Sequence, residues 1–296
     1  MSARAYQVVH VTDYTYDADV SASYGRAHLL PRAEPGQRVL ASSLVVDPAP
    51  AEVHEHTDYS GNISTYFRLS EPHRALSVTS TSQVEVDREV HAWSAMDHAR
   101  VPAAGAPPAD TGLLGIELAL PSPMIPTVDG IAAYAETVLV PGRPLGEALC
   151  GLVDAIARDF EYKSGSTTVS TPLETVLQDR HGVCQDFAHL MIGCLRSAGL
   201  SAGYVSGYLQ TMPPPGRPRL VGADASHAWV SVLVPGVGWV DLDPTNHQPA
   251  DHRYIVVARG RDYSDVPPLK GVIYTKSTKS TLQVSVDVQP VTPVLF

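Results

Sequence analysis

The stretch from Gly182 to Leu200 constrains the fold most, because it combines a glycine turn, a cysteine and a helical pattern of apolar residues. Apolar side chains recur at helical spacing between Phe187 and Leu195, which predicts an amphipathic helix. Gly182 allows a tight turn before this helix, and Cys184 falls in the first helical turn. Unpaired N–H groups and the positive end of the helix dipole at that position favour a thiolate. We therefore predict that Cys184 is a nucleophile.

Changes in residue pattern predict two domains within the 296 residues. Residues 1–87 contain alternating segments rich in β-branched and aromatic residues, separated by turn signals, and predict a β-rich domain similar to a β-sandwich. Residues 88–127 are rich in Ala, Pro and Ser and predict a connector. In residues 128–296, apolar residues first recur at helical spacing and later alternate with a period of two, as in strands. The predicted fold class is therefore α+β, with helices packed on an antiparallel sheet in this second domain.

The composition argues against several classes of partner. The formal net charge is −10 and no run of Lys or Arg occurs, so we expect no binding to nucleic acid. No apolar run approaches the ~20 residues that a membrane-spanning helix needs, so we expect a soluble protein with no membrane partner. The segment that starts at Met1 lacks the features of a secretory signal, and we expect a cytoplasmic location.

The three cysteines are too few and too scattered for a disulfide framework, and their number is odd. We therefore treat each as a free thiol. Cys150 and Cys194 fall within helical apolar patterns, where a free cysteine acts as a small buried hydrophobic residue. We predict that both lie in the core and that Cys184 alone is chemically active.

A cysteine nucleophile needs an imidazole that takes its proton and a carboxylate that orients the imidazole. His227 begins one predicted strand, and Asp243 ends the next predicted strand. If these strands are antiparallel neighbours, cross-strand Cβ separations of about 5 Å allow the two side chains to meet. Asp241 is the rival carboxylate, because it lies on the same face of the strand. Composition alone does not choose between these residues.

The motifs around these residues resemble those of the bacterial transglutaminase-like family, whose core is that of papain-like thiol enzymes. The Gly-Val-Cys motif of that family matches residues 182–184, and its His-Ala-Trp motif matches residues 227–229. Its Gly-Trp strand, which ends in Asp-Pro-Thr, matches residues 238–245. Residues 204–208 and 260–268 also resemble segments of the bacterial subfamily, which carries a β-rich N-terminal domain. The resemblance thus covers nearly the whole chain and implies a papain-like, transglutaminase-like core.

The resemblance implies a role for each motif residue. Cys184 corresponds to the nucleophile, His227 to the general base and acid, and Asp243 to the orienting carboxylate. The implied activity is a thiol-dependent amide or peptide hydrolase or acyl transferase that forms an acyl-thioenzyme on a peptide or protein amide, without a cofactor. We expect hydrolysis rather than cross-linking, because water is the default acceptor unless a site excludes it.

The resemblance leaves the second donor of the oxyanion hole open. One donor is expected to be the backbone N–H of Cys184 at the helix terminus. Papain-like enzymes place a Gln before the cysteine and animal transglutaminases use a Trp, whereas Gln185 follows the cysteine here. The candidates for the second donor and the cleft are Gln185, Tyr162, Tyr204 and Tyr208.

Two alternatives to an enzyme are compatible with the sequence. The first is a catalytically inactive interaction module on the same fold, since folds also host inactive members. The second is a zinc site that contains Cys184, His227 and another histidine, which the lack of a close cysteine pair disfavours. No Asp-x-Asp-x-Asp-Gly loop is present, so calcium is not expected either, and we predict no metal site. Neither the substrate nor the oligomeric state follows from the sequence.

Overall fold

The computed structural model describes residues 3–103, 112–211 and 225–291. The first part of the chain consists of strands in which β-branched and aromatic residues are frequent, as expected for sheets with a buried face. These strands are β1 (Arg4–Ala27), β2 (Gln37–Asp47), β3 (Glu52–Thr57), β4 (Ile63–Leu69) and β5 (His73–Val86). A single 3-10 turn follows them.

Within the described residues, the second part of the chain contains the helices and nine further strands. The helices are α1 (Gly112–Glu117), α2 (Asp129–Glu136), α3 (Leu145–Asp159), α4 (Leu173–Asp179) and α5 (Cys184–Ser197). The strands are β6 (Glu161–Tyr162), β7 (His181–Gly182), β8 (Ala202–Leu209), β9 (Ala225–Val234), β10 (Gly238–Asp243), β11 (Gln248–Pro249), β12 (Tyr254–Gly260), β13 (Leu269–Thr275) and β14 (Ser280–Val291). Within the described ranges, no helix combines the length and the apolar character that crossing a membrane requires.

Strand β1 organises the N-terminal sheet, because its 24 residues pair with four other strands. Its first half lies between β5 and β14, and its second half lies between β4 and β13. The register of its pairing with β5 shifts between Thr15 and Val20, where β1 changes partners. The result is one curled antiparallel sheet of seven strands. The predicted β-rich N-terminal region is confirmed.

The last two strands of the described chain, β13 and β14, join this N-terminal sheet. The sequence-based division places residues 128–296 in one C-terminal domain, whereas residues 269–291 pair with β1 in the structure. Without these strands, β1 would have one edge of unpaired N–H and C=O groups. Val286 and Val288 of β14 also fill the main core. A two-residue period identifies a strand, but it does not say which sheet the strand joins.

The second sheet supports the helix that carries Cys184. Its five antiparallel strands have the order β11-β10-β9-β8-β12, and α5 packs against β8 and β9. Helix α5 is buried on all sides from Gln185 to Arg196, as expected for a helix at the centre of a domain. Met191 and Cys194 share one core cluster with Val230 and Val232 of β9. The predicted α+β class, with helices packed on an antiparallel sheet, is confirmed.

Two side-chain amides of the N-terminal region cover the outer edge of β12. The Gln37 carboxamide donates to the carbonyl of Val256 at 2.7 Å and accepts from its N–H at 2.8 Å. The Asn62 carboxamide makes the same pair of bonds with the backbone of Arg259, at 2.9 and 2.8 Å. Each amide therefore replaces one residue of a neighbouring strand. These bonds join the two sheets through buried polar groups that would otherwise lack partners.

Replacing Gln37 by Met should therefore destabilise the whole protein. The substitution keeps the length of the side chain but leaves the N–H and C=O of Val256 without partners, at a cost of about 2–4 kcal/mol in the free energy of unfolding. Urea denaturation followed by circular dichroism measures this change. The matched control is Gln83→Met on β5, where the side chain is exposed and the change should stay within about 0.5 kcal/mol. Equal effects of the two substitutions would contradict the role of Gln37.

Candidate active site

The turn before α5 sets the position of Cys184, which is the first residue of that helix. The Asp186 carboxylate accepts a hydrogen bond from the Val183 N–H at 2.8 Å and one from the Thr167 hydroxyl at 2.6 Å. A Cβ atom at Gly182 would lie 2.8 Å from that of Asp186, so only glycine fits there. Asp186 is therefore a structural cap, as its first-turn position predicts. Cys184 itself is partly exposed.

The structure brings the three predicted residues together. His227 on β9 and Asp243 on β10 lie on neighbouring antiparallel strands, and His227 Nε2 is 2.7 Å from Asp243 Oδ2. The Cys184 thiol lies close enough to the same imidazole to raise its pKa. Because Nε2 faces Asp243, Nδ1 is the ring nitrogen left for the thiol. The arrangement thus brings a thiol, an imidazole and a carboxylate together at a helix N-terminus.

The carboxylate of Asp243 is fully buried and accepts hydrogen bonds from five donors. Its Oδ1 accepts from the backbone N–H groups of Thr245 and Asn246, at 2.8 and 3.1 Å. Its Oδ2 accepts from the His227 ring, the Asn246 side chain and the Tyr254 hydroxyl, each at 2.7 Å. Burial raises the pKa of Asp243, but the hydrogen bonds and charge of His227, with the other donors, hold that pKa below its usual value. The carboxylate is therefore negative near neutral pH.

The surroundings of His227 favour its protonated form. Burial by itself lowers the pKa of this imidazole, but the hydrogen bonds and charges of Asp243 and Cys184 outweigh burial and raise the pKa above the usual 6.5. An imidazolium is the form that accompanies a thiolate in an ion pair. The site can therefore hold a positively charged imidazolium beside the Cys184 side chain.

Asn246 and Tyr254 also belong to the site, and sequence reasoning missed both. The Asn246 amide nitrogen lies 3.2 Å from His227 Nε2 and so borders the imidazole as well as the carboxylate. The sequence did contain a signal for Asn246, because the backbone N–H groups of an Asp-Pro-Thr-Asn turn typically bond to the side chain of its aspartate. Tyr254 had no signal, since it lies on β12, two strands away from β9.

The rival carboxylate, Asp241, has other partners. Arg88 Nη1 donates to it at 2.6 Å, and the Trp229 indole N–H donates to it at 3.1 Å. Arg259 donates to both of its oxygens, at 3.0 and 2.9 Å. Burial raises the pKa of Asp241, but the adjacent guanidinium groups of Arg259 and Arg88 lower it overall. Asp243, not Asp241, is therefore the carboxylate that contacts His227.

The four candidates for the oxyanion hole and cleft separate into two groups. The Gln185 amide donates to the Val169 carbonyl at 3.1 Å, and the Tyr208 hydroxyl donates to the Leu29 carbonyl at 3.0 Å. Both of these side chains are buried and hold neighbouring segments in place. Burial raises the pKa of the Tyr162 and Tyr204 hydroxyl groups, and the nearby Cys184 raises it further. Both tyrosines therefore lie close enough to the thiol to interact with it electrostatically.

Tyr162 and Tyr204 occupy different depths. Tyr162 is 55 % exposed and pairs with Gly182 in the short parallel bridge between β6 and β7. Tyr204 is buried, and its ring contacts those of His189 and Tyr263 at centroid distances of 5.1 and 6.3 Å. Tyr162 is therefore the one that lies at the surface next to the Cys184 turn.

The other two cysteines differ from each other. Cys194 is fully buried in the core, as predicted. The prediction that Cys150 is buried is wrong, because this residue falls at the border of the buried face of α3 and is only partly covered. Burial and the nearby Asp154 carboxylate raise the pKa of the Cys150 thiol. Across the described residues, no group of three or more His, Cys, Asp or Glu side chains has the arrangement of a metal site.

Family models match both halves of the chain. Residues 6–85 match the bacterial transglutaminase-like N-terminal region, and residues 132–244 match the transglutaminase-like superfamily. The second match contains Cys184, His227 and Asp243. The two matches lie in the order that the sequence resemblance implies, with the N-terminal region first and the transglutaminase-like core second.

One relative is similar to this chain over nearly its full length, and another over about a third of it. An uncharacterised protein of Mycobacterium tuberculosis is 50 % identical over 290 residues, which cover 96 % of this chain and 92 % of that protein. A protein-glutamine gamma-glutamyltransferase of Pseudomonas aeruginosa is 33 % identical over 102 residues, which cover 32 % of this chain and 15 % of the enzyme.

A solved structure shares the whole fold. It is that of a candidate cysteine protease from Cytophaga hutchinsonii, with a TM-score of 0.77 and 22 % sequence identity over 100 % of this chain and 95 % of that one. The fold is therefore transglutaminase-like from the N-terminal sheet to the last described strand. Together with the family models and the full-length relatives, these similarities establish that the chain belongs to the bacterial transglutaminase-like family.

Proposed function

We propose that this protein is a thiol-dependent hydrolase of peptide or protein amides, with Cys184 as nucleophile, His227 as general acid and base, and Asp243 as the residue that orients His227. The observation that carries this proposal is the 2.7 Å bond between His227 and the buried Asp243, with the Cys184 thiol near enough to the same imidazole to raise its pKa, at the N-terminus of α5. Membership of a superfamily that consists mostly of enzymes supports it as well.

In the first half of the reaction, the Cys184 thiolate attacks the carbonyl carbon of the amide. Negative charge develops on the carbonyl oxygen, and N–H groups at the start of α5 without intrahelical partners stabilise it. The His227 imidazolium gives its proton to the amide nitrogen, the C–N bond breaks, and the amine leaves. The product on the enzyme is a thioester with Cys184, and His227 is then neutral.

In the second half, neutral His227 takes a proton from a water molecule that attacks the thioester. The carboxylic acid leaves, the sulfur departs as a thiolate, and the proton on His227 restores the starting ion pair. Asp243 keeps the ring orientation throughout, because its other four donors fix the carboxylate in place. The partial exposure of Cys184 supports water, rather than a second amine, as the acceptor.

The first prediction concerns thiol reactivity. At pH 6.5 we expect iodoacetamide to label Cys184 at least about tenfold faster than Cys150, and we expect His227→Ala to remove this advantage. His227 has a raised pKa, so its positive charge supports the thiolate at low pH and is lost as the pH rises through that pKa. The difference between the two proteins should therefore be large at pH 6 and vanish above about pH 9, where an unassisted thiol ionises.

Mass spectrometry of peptides after timed labelling measures each thiol separately. Cys150 serves as the internal control, because its labelling should not depend on His227. Equal rates for Cys184 and Cys150, or a Cys184 rate that His227→Ala does not change, would contradict the proposal and favour an inactive interaction module.

A second prediction concerns Asp243. Replacement by Asn preserves shape but removes the charge that stabilises the imidazolium, so kcat/KM on a responsive peptide amide should fall by about 10²–10⁴-fold. Tyr254→Phe removes one of five hydrogen bonds to this carboxylate and should cost less, about three- to tenfold. The control is Asp19→Asn, because that carboxylate is exposed on the N-terminal sheet. A loss of activity that merely follows the loss of folded protein would argue against the assigned role.

A third prediction concerns the acceptor. With a peptide amide and a primary amine at millimolar concentration, we expect the free acid to be the main product in mass spectra. Cys184→Ser should abolish both products, which separates enzymatic turnover from background. A main product that carries the amine would identify the protein as an acyl transferase instead.

A further inference from the structure

A buried ion-pair cluster connects the N-terminal domain to the second sheet. Glu34 lies just before β2, and Arg88 lies just after β5. Arg259 donates to both oxygens of Glu34 at 2.8 Å and to both oxygens of Asp241 at 3.0 and 2.9 Å. Arg88 bonds Asp241 at 2.6 Å and lies 3.4 Å from Glu34. Arg32 Nε also lies 3.5 Å from Glu34. Two carboxylates and three guanidinium groups thus form one connected ion-pair cluster.

Trp229 connects this cluster to the candidate active site. Its side chain is fully buried, and its indole N–H donates to Asp241 Oδ2 at 3.1 Å. Its ring lies 29° from the plane of the His227 imidazole, with 6.2 Å between the centroids. It also meets the Tyr254 ring at 77° and 5.3 Å. Trp229 therefore borders both the imidazole and a donor to its carboxylate partner.

The indole has little room to move. A Cβ atom at Gly207 would overlap the Trp229 ring and the Ile255 carbonyl, which means that the ring fills the space above that glycine. The hydrogen bond to Asp241 fixes the opposite edge of the ring. If Asp241 shifts, the indole can tilt, and the imidazole loses the flat surface beside it. Catalytic groups must be held within about 10–20° of their productive orientation, so such a tilt bears directly on reactivity.

From this geometry we infer that Asp241 is a positioning residue which acts through Trp229 on the plane of the His227 ring, and that Arg88 and Glu34 of the N-terminal region hold Asp241 in place. This inference rests on the proposed function, because it assigns a role toward the same nucleophile and imidazole. It gives the N-terminal domain an indirect influence on the catalytic groups. Asp241 and Asp243 then have separate roles on one strand. Asp241 acts on the face of the His227 ring through Trp229, and Asp243 holds the ring by a hydrogen bond to its Nε2 atom.

The test uses two matched pairs of full-length variants. Arg88→Met removes the N-terminal guanidinium from Asp241, and Arg38→Met removes a 70 % exposed guanidinium that bonds Glu85 on the same sheet. Trp229→Phe removes the indole N–H but keeps an aromatic ring, and Trp239→Phe makes the same change on β10, where the ring is 38 % exposed. The readout is the rate of Cys184 alkylation by iodoacetamide between pH 6 and 9, with Cys150 as internal reference.

We expect Arg88→Met and Trp229→Phe each to lower the Cys184 rate at pH 6.5 by at least about fivefold and to move its pH profile toward that of His227→Ala. Arg88→Lys should restore most of the rate, and the two control variants should keep the wild-type profile. Thermal unfolding of every variant is measured alongside, because a merely structural role would lower the melting temperature without changing the pH profile of the folded protein.

The outcomes distinguish this inference from the proposed function. If wild-type Cys184 labelling depends on His227 but Trp229→Phe and Arg88→Met retain the wild-type pH profile, the positioning role is refuted and the proposed function stands. If wild-type labelling does not depend on His227, the proposed function itself fails. If Arg88→Met does not fold, Trp229→Phe and its control alone decide, because they leave every charge of the cluster in place.

Discussion

The carboxylate of Asp243 has no contact with solvent and depends on protein donors for all of its hydrogen bonds. A buried negative charge is costly unless its acceptors are filled, and five donors fill them here. Three of the bonds come from the turn that follows β10, and the others come from β9 and β12. One side chain thus fixes the relative positions of two strands and a turn. His227 is held in place as a consequence of this arrangement.

The sequence predicts those parts of the site that lie within single motifs. Cys184 follows from a glycine turn before a helix. Two consecutive strands make a contact between His227 and Asp243 possible, but the choice of Asp243 over Asp241 came from the family motifs. Contacts between segments far apart in the chain had no such signal. The Tyr254 ring lies 6.2 Å from that of His227 although Tyr254 is on β12 and His227 on β9, and no periodicity encodes that relation.

The same distinction explains where the strand pairing differs from the division drawn from the sequence and why Cys150 was misplaced. Strands and helices follow from local periods, so the α+β class and the β-rich N-terminal region were predictable. The partner of a strand depends instead on which sheet edges remain open, and this is why β13 and β14 were placed with the C-terminal domain. Cys150 was assigned to the core because it lies in an apolar helix, but a helix period cannot locate the border of the buried face to within one residue.

The place of β14 in the sheet also has a consequence for the order of folding during synthesis. Strand β1 leaves the ribosome long before β14, yet the two pair over twelve residues. One edge of β1 therefore waits for its partner while the segments between them are made. Such non-local pairing slows folding and leaves an open strand edge on the nascent chain. The N-terminal sheet thus begins before the second sheet but is completed after it.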